Sequence, residues 1–349
     1  MKSADAIILG AGIIGLSLAL ELRRNGLKVL VLERQEPGRE ASHAAAGMLA
    51  PSGGDLPDAL ATLAHASARI YREFVMEIED AAGMKADLRS QGTLLIGAEA
   101  AVLSGSSPLS AEEQLRLEPA MTPQAEACFL AESSVDPRAL CSAATKAALH
   151  HGVEIASGTE VLRVEREGES LAVVSAKTTY RAAAVVNCCG AWAGQVAPLA
   201  LPTRPFKGQM LSLVPEPKHL LAHVIRAEHV YLVPRSSGLI LVGATIEDIG
   251  FDKRIDRATI DWMRQAAVAL VPELGRARTH EAWAGLRPGT PDDLPILGES
   301  GIPGYFFATG HFRNGILLAP VTAQVMTQLI LKQPISYDLA PFSPARFAE

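Results

Sequence analysis

The residues of this sequence with the most chemistry in their spacing are three glycines, one acid and two arginines. Gly10, Gly12 and Gly15 stand as G-x-G-x-x-G. In that pattern the first glycine allows a tight turn and the second lets a pyrophosphate approach the backbone. The third lets a helix pack closely on a strand. Glu33 follows Gly15 by 18 residues, where a carboxylate accepts hydrogen bonds from an adenosine ribose. Arg34 comes directly after it, so the motif leaves FAD and NAD both open. Arg287 lies in WAGLRPGTPDDLPILG (283–298) and Arg313 in YFFATGHFRNG (305–315), on two turns expected to converge on the cofactor. Each alone reads as an ordinary surface arginine. A guanidinium offers a fixed fork of donors that can hold an oxyanion.

The elements around these residues are readable. Ala6 to Leu9 is an apolar run suited to a parallel strand buried on both faces. A helix from about Ile13 to Asn25 follows the glycines and aims its free N–H groups and positive dipole end at the phosphate. Gly26 is a left-handed stop, and Lys28 to Leu32 the second strand. The small-residue stretch QEPGREASHAAAGMLAPSGGD (35–55) reads equally as a ligand-lining loop or a helix with a tight end. Leu56 to Ala82 has helical periodicity (Leu60, Leu63, Ile70, Phe74, Ile78). Gln91 to Gly97 reads as a strand, Ser104 to Pro108 as a loop, and Ala111 to Glu118 as a helix. Asp136 caps a helix over Ala139 to His150 with Pro137 at its start. Short strands follow at Val153, at Val161 to Val164 and at Ala183 to Asn187. Arg204 to Val214, Val224 to Pro234 and Leu239 to Thr245 alternate like an antiparallel sheet. A helix over Ala258 to Val271 leads back, and Thr309 to Gly315 turns into a last helix. Thus a parallel nucleotide-binding half is interrupted by a mostly antiparallel one.

Composition excludes several classes. The chain has 349 residues, 48% hydrophobic and 20% charged, with a net charge of −6. That suits one large or two smaller soluble domains, with no electrostatic call for nucleic acid or an anionic membrane. The apolar stretch from Gly315 to Leu331 is short and interrupted, so no membrane span is expected, and a cytoplasmic location is. Cys128, Cys141, Cys188 and Cys189 form no C-x-x-C pair, and the histidines show no helical ligand spacing, so neither a disulfide framework nor a metal site is expected.

The stretches ASHAAAGMLAP, VVNCCGAWAG, PFKGQML, GATIEDIGFD, WAGLRPGTPDDLPILG and TGHFRNGILLAP together resemble the D-amino-acid-oxidase-like flavoproteins, most closely their glycine oxidase branch. The resemblance runs from Gly10 to the last helix. It implies an α/β fold in which a Rossmann-type FAD domain (1–55, 138–200, 272–349) carries an inserted antiparallel-sheet substrate domain (56–137, 201–271). It also implies non-covalent FAD, since no cysteine follows Cys189. Ile13, Ile14, Glu33, Arg34, Ala41, Ser42, Ala46, Gly47 and Met48 would contact FAD, Gly190 would face it from the turn after a strand, and Val161 would hold the adenine side. His311, Phe312, Arg313, Asn314, Gly315, Ile316 and Leu317 would wrap the isoalloxazine. Arg313 and Arg287 would take the substrate carboxylate, with Tyr231 and His229 on a strand facing the pocket and Met48 shaping it. Ala50 and Ile246 stand where a well-known member of the family has a smaller residue and a methionine, so the resemblance does not fix the pocket size. The implied reaction oxidises glycine or another small amino acid to the imino acid, with O2 as acceptor and H2O2 as product, and feeds thiamine thiazole synthesis. Homo-oligomers, commonly tetramers, are the implied assembly. Rival readings are a sarcosine or D-amino-acid oxidase, a dehydrogenase of the same fold using another acceptor, and an FAD-binding module without turnover.

Overall fold

The structure is a computed structural model that describes residues 2–52, 56–102 and 107–347. Its first layer is a six-stranded sheet in the order Ile296–Glu299, Tyr305–Thr309, Ala184–Asn187, Ala6–Leu9, Val29–Leu32, Glu154–Ala156. All neighbours run parallel except the first pair. Apolar alternation explains why both faces are covered. Ala6 and Ile8 pack on helices Ile13–Arg24, Asp58–Ala82, Pro137–His150 and Gly315–Ile330. Ile7 and Leu9 pack on the opposite side against a small sheet that includes Val161–Glu167, Ser170–Ser175 and Thr179–Ala182.

A second, eight-stranded sheet is ordered Arg278–Gly289, Arg204–Val214, Ile240–Gly243, Tyr231–Pro234, Val224–Arg226, Thr93–Ile96, Ala127–Leu130, Ser107–Pro108. Only Val224–Arg226 and Thr93–Ile96 pair in parallel. One face, with Leu211, Leu232 and Val242, is covered by helix Arg257–Leu270. The alternate residues, Met210, Val233, Leu241 and Trp283, turn toward Ala46 of the first layer.

The α/β architecture expected from the chain is present, with several local differences. The expected strand Val224–Pro234 is two strands, and His229 sits exposed on the turn between them. Arg287 lies within the twelve-residue strand Arg278–Gly289 and not on a turn. That strand is the sheet's edge, where the missing N–H of Pro288 costs no ladder bond. In the expected loop 104–108, residues 104–106 lie outside the described residues, and Ser107–Pro108 pair with Ala127–Leu130. Helix Asp58–Ala82 was expected with the substrate domain, yet it packs into the nucleotide-binding core. Its buried stripe is Leu60, Leu63, Ala64, Ser67, Tyr71, Val75 and Ile78, with Ile70 and Phe74 only half-buried. Ser67 Oγ donates to the Leu317 carbonyl at 2.6 Å and Tyr71 Oη to that of Ile316 at 3.0 Å, so this helix steadies the first turn of Gly315–Ile330. Strand Arg278–Gly289, expected with the FAD domain, belongs to the eight-stranded sheet. No helix among the described residues is long and apolar enough to cross a membrane.

Candidate active site

A cavity of about 770 Å³ opens between the carboxyl ends of the parallel strands and the inner face of the eight-stranded sheet. Every residue expected at the site lines it except Gly15. Gly15 acts one step back: a Cβ there would strike the Gly10 carbonyl, so only glycine lets the helix seat on the strand. Gly10 has φ +97°, a region that a side chain disfavours.

The glycine loop is preset for an anion. Helix Ile13–Arg24 begins after Gly12, which offers no side-chain cap. The Ile13 N–H is taken by Ser42 Oγ at 3.1 Å, and Gly12, Ile13 and Ile14 line the cavity. Glu33 is held by two backbone amides, Ala11 N–H on Oε2 and Gln35 N–H on Oε1, both at 2.8 Å. Each oxygen keeps a lone pair for a ribose hydroxyl. Arg34 stacks over the Trp192 ring at 4.2 Å and pairs with Glu40 at 3.2 Å. Glu40 also meets Lys253 at 2.9 Å, while Trp192 packs on Phe251 at 5.3 Å. The loop after strand Ile240–Gly243 is thereby strapped across to the nucleotide-binding layer.

The stretch Ala41–Met48 has its carbonyls held from behind. Arg138 Nε donates to His43 at 3.1 Å, Trp283 Nε1 to Ala44 at 3.1 Å and Arg235 Nη2 to Ala46 at 2.6 Å. Ala46, Gly47 and Met48 are thus fixed against the cavity. Gly190 begins a 3₁₀ turn after Ala184–Asn187, and its carbonyl accepts from Thr309 Oγ1 at 3.1 Å. Val161 opens the strand beside Glu33.

On the far side, His311 to Leu317 form the turn into the last helix. Phe312 sits at φ +45°, rare for a bulky residue, and its N–H donates to the Pro288 carbonyl at 2.9 Å. His311 is buried, with Nε2 3.1 Å from Thr322 Oγ1, and burial pushes its pKa down to about 3. The imidazole is therefore neutral at physiological pH. Asn314 provides no side-chain cap, so the amides at Gly315 point their dipole into the cavity.

Arg287 is shielded from bulk solvent while part of its surface faces the cavity. Its Nη1 donates to the Thr245 carbonyl at 2.9 Å, and its guanidinium lies against the Tyr231 hydroxyl. Burial lowers its pKa, and the like charge of Arg313 adds to the shift. The Tyr231 phenol is raised by burial, opposed by Arg287 and Arg313. Gly208 leaves the room: a Cβ there would overlap the Arg287 guanidinium. Arg313 is exposed on its turn, with its guanidinium carbon 5.7 Å from the Phe312 ring centre. Met48 and Ala50 line the cavity; Ile246, half exposed at 50%, and His229, on its turn, lie at its outer part.

Several contributors were not foreseen. Thr245 is itself fixed by Glu247, which takes Thr245 Oγ1 at 2.6 Å, Gln209 Nε2 at 2.8 Å and the buried Lys207 at 3.2 Å. Arg226, Glu99, Met210 and Trp192 also line the cavity. A charged residue inside the apolar strand Val224–Arg226 was the one local signal for Arg226.

A glycine-rich strand-to-helix turn, an acid at the end of the next strand and a facing sheet across a shared cavity are the arrangement of a dinucleotide-dependent oxidoreductase. The residues fit FAD, since the uncapped helix start and the doubly anchored Glu33 leave acceptor and donor sites where pyrophosphate and ribose belong. The family pattern described as FAD dependent oxidoreductase (DAO) matches residues 5–329, and the chain belongs to this family. It is 36% identical over 361 residues to the bifunctional protein ThiO/ThiG of Trichormus variabilis, covering 98% of this chain and 55% of that protein. The chain thus spans about half the length of that relative. It is 33% identical to the glycine oxidase of Bacillus licheniformis over 353 residues, 97% of this chain and 95% of that one. The crystal structure of glycine oxidase from Geobacillus kaustophilus superposes with a TM-score of 0.94 at 29% identity, covering 100% of both chains.

Proposed function

We propose that this protein oxidises glycine or another small amino acid to its imino acid, passes the electrons to O2 and releases H2O2. The observation that carries the reading is the Arg287 guanidinium, shielded from bulk solvent, seated on Thr245 and Tyr231, and facing the cavity that the glycine loop closes from the other side. Bound FAD supplies the two-electron acceptor. Arg287 grips the substrate carboxylate, and Tyr231 adds a hydrogen bond to the same group, fixing which Cα–H faces inward. Arg313 brings a second positive charge from its turn. The neutral His311 and the dipole at Gly315 stabilise negative charge without reorganising. No side chain is needed as a base, because a neutral amine assists departure of the Cα hydrogen.

The site assignments above and a two-domain partition belong to this proposal, with helix Asp58–Ala82 reassigned to the FAD domain. So do a cytoplasmic location, supported by four unpaired cysteines, three of them buried, and a homo-oligomer. Relatives named ThiO/ThiG support use of the imino acid in thiazole synthesis. Peroxide release by the yellow protein with glycine, sarcosine, D-alanine and D-proline tests the reading, with anaerobic flavin bleaching alongside. Bleaching without peroxide points to another acceptor, and absence of bleaching with every amine sinks the proposal.

A further inference from the structure

Arg226 is a charged residue of the cavity that the proposed reaction leaves without a task. Arg226 ends strand Val224–Arg226 and pairs in register with Tyr231, so the two side chains rise from the same face of the sheet, about 4.5–5.5 Å apart at their Cα atoms. Both line the cavity. Glu99 lies 3.5 Å from Arg226 Nη2 and Glu132 3.5 Å from Nη1. These are longer than the 2.7–2.9 Å of a charge-assisted hydrogen bond. Arg226 Nη2 is buried without a hydrogen-bond acceptor. Glu132 is deeply buried, which raises its carboxyl against the pull of Arg226. A guanidinium with an empty donor, held by two loose contacts beside Tyr231, is suited to an acceptor that arrives with the ligand.

We propose that Arg226 is a specificity-determining residue that receives a second carboxylate, so that the cavity prefers amino dicarboxylates or acidic N-substituents over amines with a single acid group. The inference rests on Arg287 being the anchor for the first carboxylate. Glu99 then acts as the competing acid that the incoming carboxylate displaces.

The test titrates the FAD-loaded protein with acetate and with malonate, following the flavin absorbance. Malonate is expected to bind at least about tenfold more tightly than acetate, the worth of one charge-assisted hydrogen bond. In R226L that preference falls about tenfold, and in E99Q it rises, because the competing carboxylate is gone. Equal affinities in the parent, a preference that survives R226L, or a fall in E99Q each overturn the proposal. If R226L strands Glu132 and fails to fold, the sign of the E99Q change decides. Loss of amine oxidation with the malonate preference intact would sink the oxidase reading and leave this one standing.

Discussion

Replacing Arg287 by methionine keeps the length and apolar bulk of the side chain and removes its charge and donors. Nη1 is already committed to Thr245 at 2.9 Å, so the donors left for a ligand make roughly two charge-assisted bonds, about 1.5–3 kcal/mol each. The expected loss in transition-state binding is about 3–6 kcal/mol. At about 1.36 kcal/mol per factor of ten, that is roughly two to four powers of ten in kcat/KM. Stability should fall by about 1–3 kcal/mol, because the Thr245 carbonyl loses its donor. A fold of ordinary stability tolerates that loss. Since Arg287 sits on the eight-stranded sheet, away from Glu33 and the glycine loop, FAD content should hold. The assay is anaerobic stopped-flow reduction over a range of glycine concentrations, with FAD content read from the visible spectrum. A fully loaded R287M with kcat/KM within about threefold of the parent would refute the assignment, because truncating one partner of a desolvated, hydrogen-bonded charge pair costs about 2–5 kcal/mol.

G208A leaves every charge in place but puts a methyl where the Arg287 guanidinium lies. It should weaken acetate binding by about 1–3 kcal/mol of overpacking, and unchanged affinity would mean the guanidinium needs no such seat. R313A removes an exposed charge, so about tenfold or less is expected, shrinking as salt rises; a salt-independent loss as large as that of R287M would place Arg313 in a desolvated pocket instead. His311 is lowered by burial from 6.5 to about 3. Between those values the unfolded chain binds the proton and the native protein does not. Its contribution is therefore complete above pH 6.5 and lost as pH falls toward 3, on the order of 5 kcal/mol in all. Urea midpoints of the parent should drop more steeply from pH 7 to 4.5 than those of H311Q, and parallel curves would remove His311 from the account.

Local chemistry in the sequence decided the nucleotide half. Gly10, Gly12, Gly15 and Glu33 act within one strand–helix–strand unit whose geometry follows from spacing, and the structure places them as that spacing requires. The helices carried their own caps: Asp136 accepts from Arg138 N–H at 2.9 Å, and Gly26 closes the first helix at φ +88°. The antiparallel half was legible as alternation but not as register. Period two says which residues share a face and not which strand lies opposite. Hence the pairing of Arg226 with Tyr231, the edge position of Arg287 and the turn that carries His229 outward were settled only when the strands were laid side by side. The apolar stripe of Asp58–Ala82 announced a helix, but Ser67 and Tyr71 reach partners some 250 residues away, and no local signal names a partner at that distance. Sequence by itself determined the strand, glycine turn, helix and second strand with its terminal acid, because that geometry is short-range. Tertiary structure alone decided which arginine is turned into the cavity, which glycine makes room for it, and what else faces the cavity, because such neighbours belong to the assembled layers and not to any one segment.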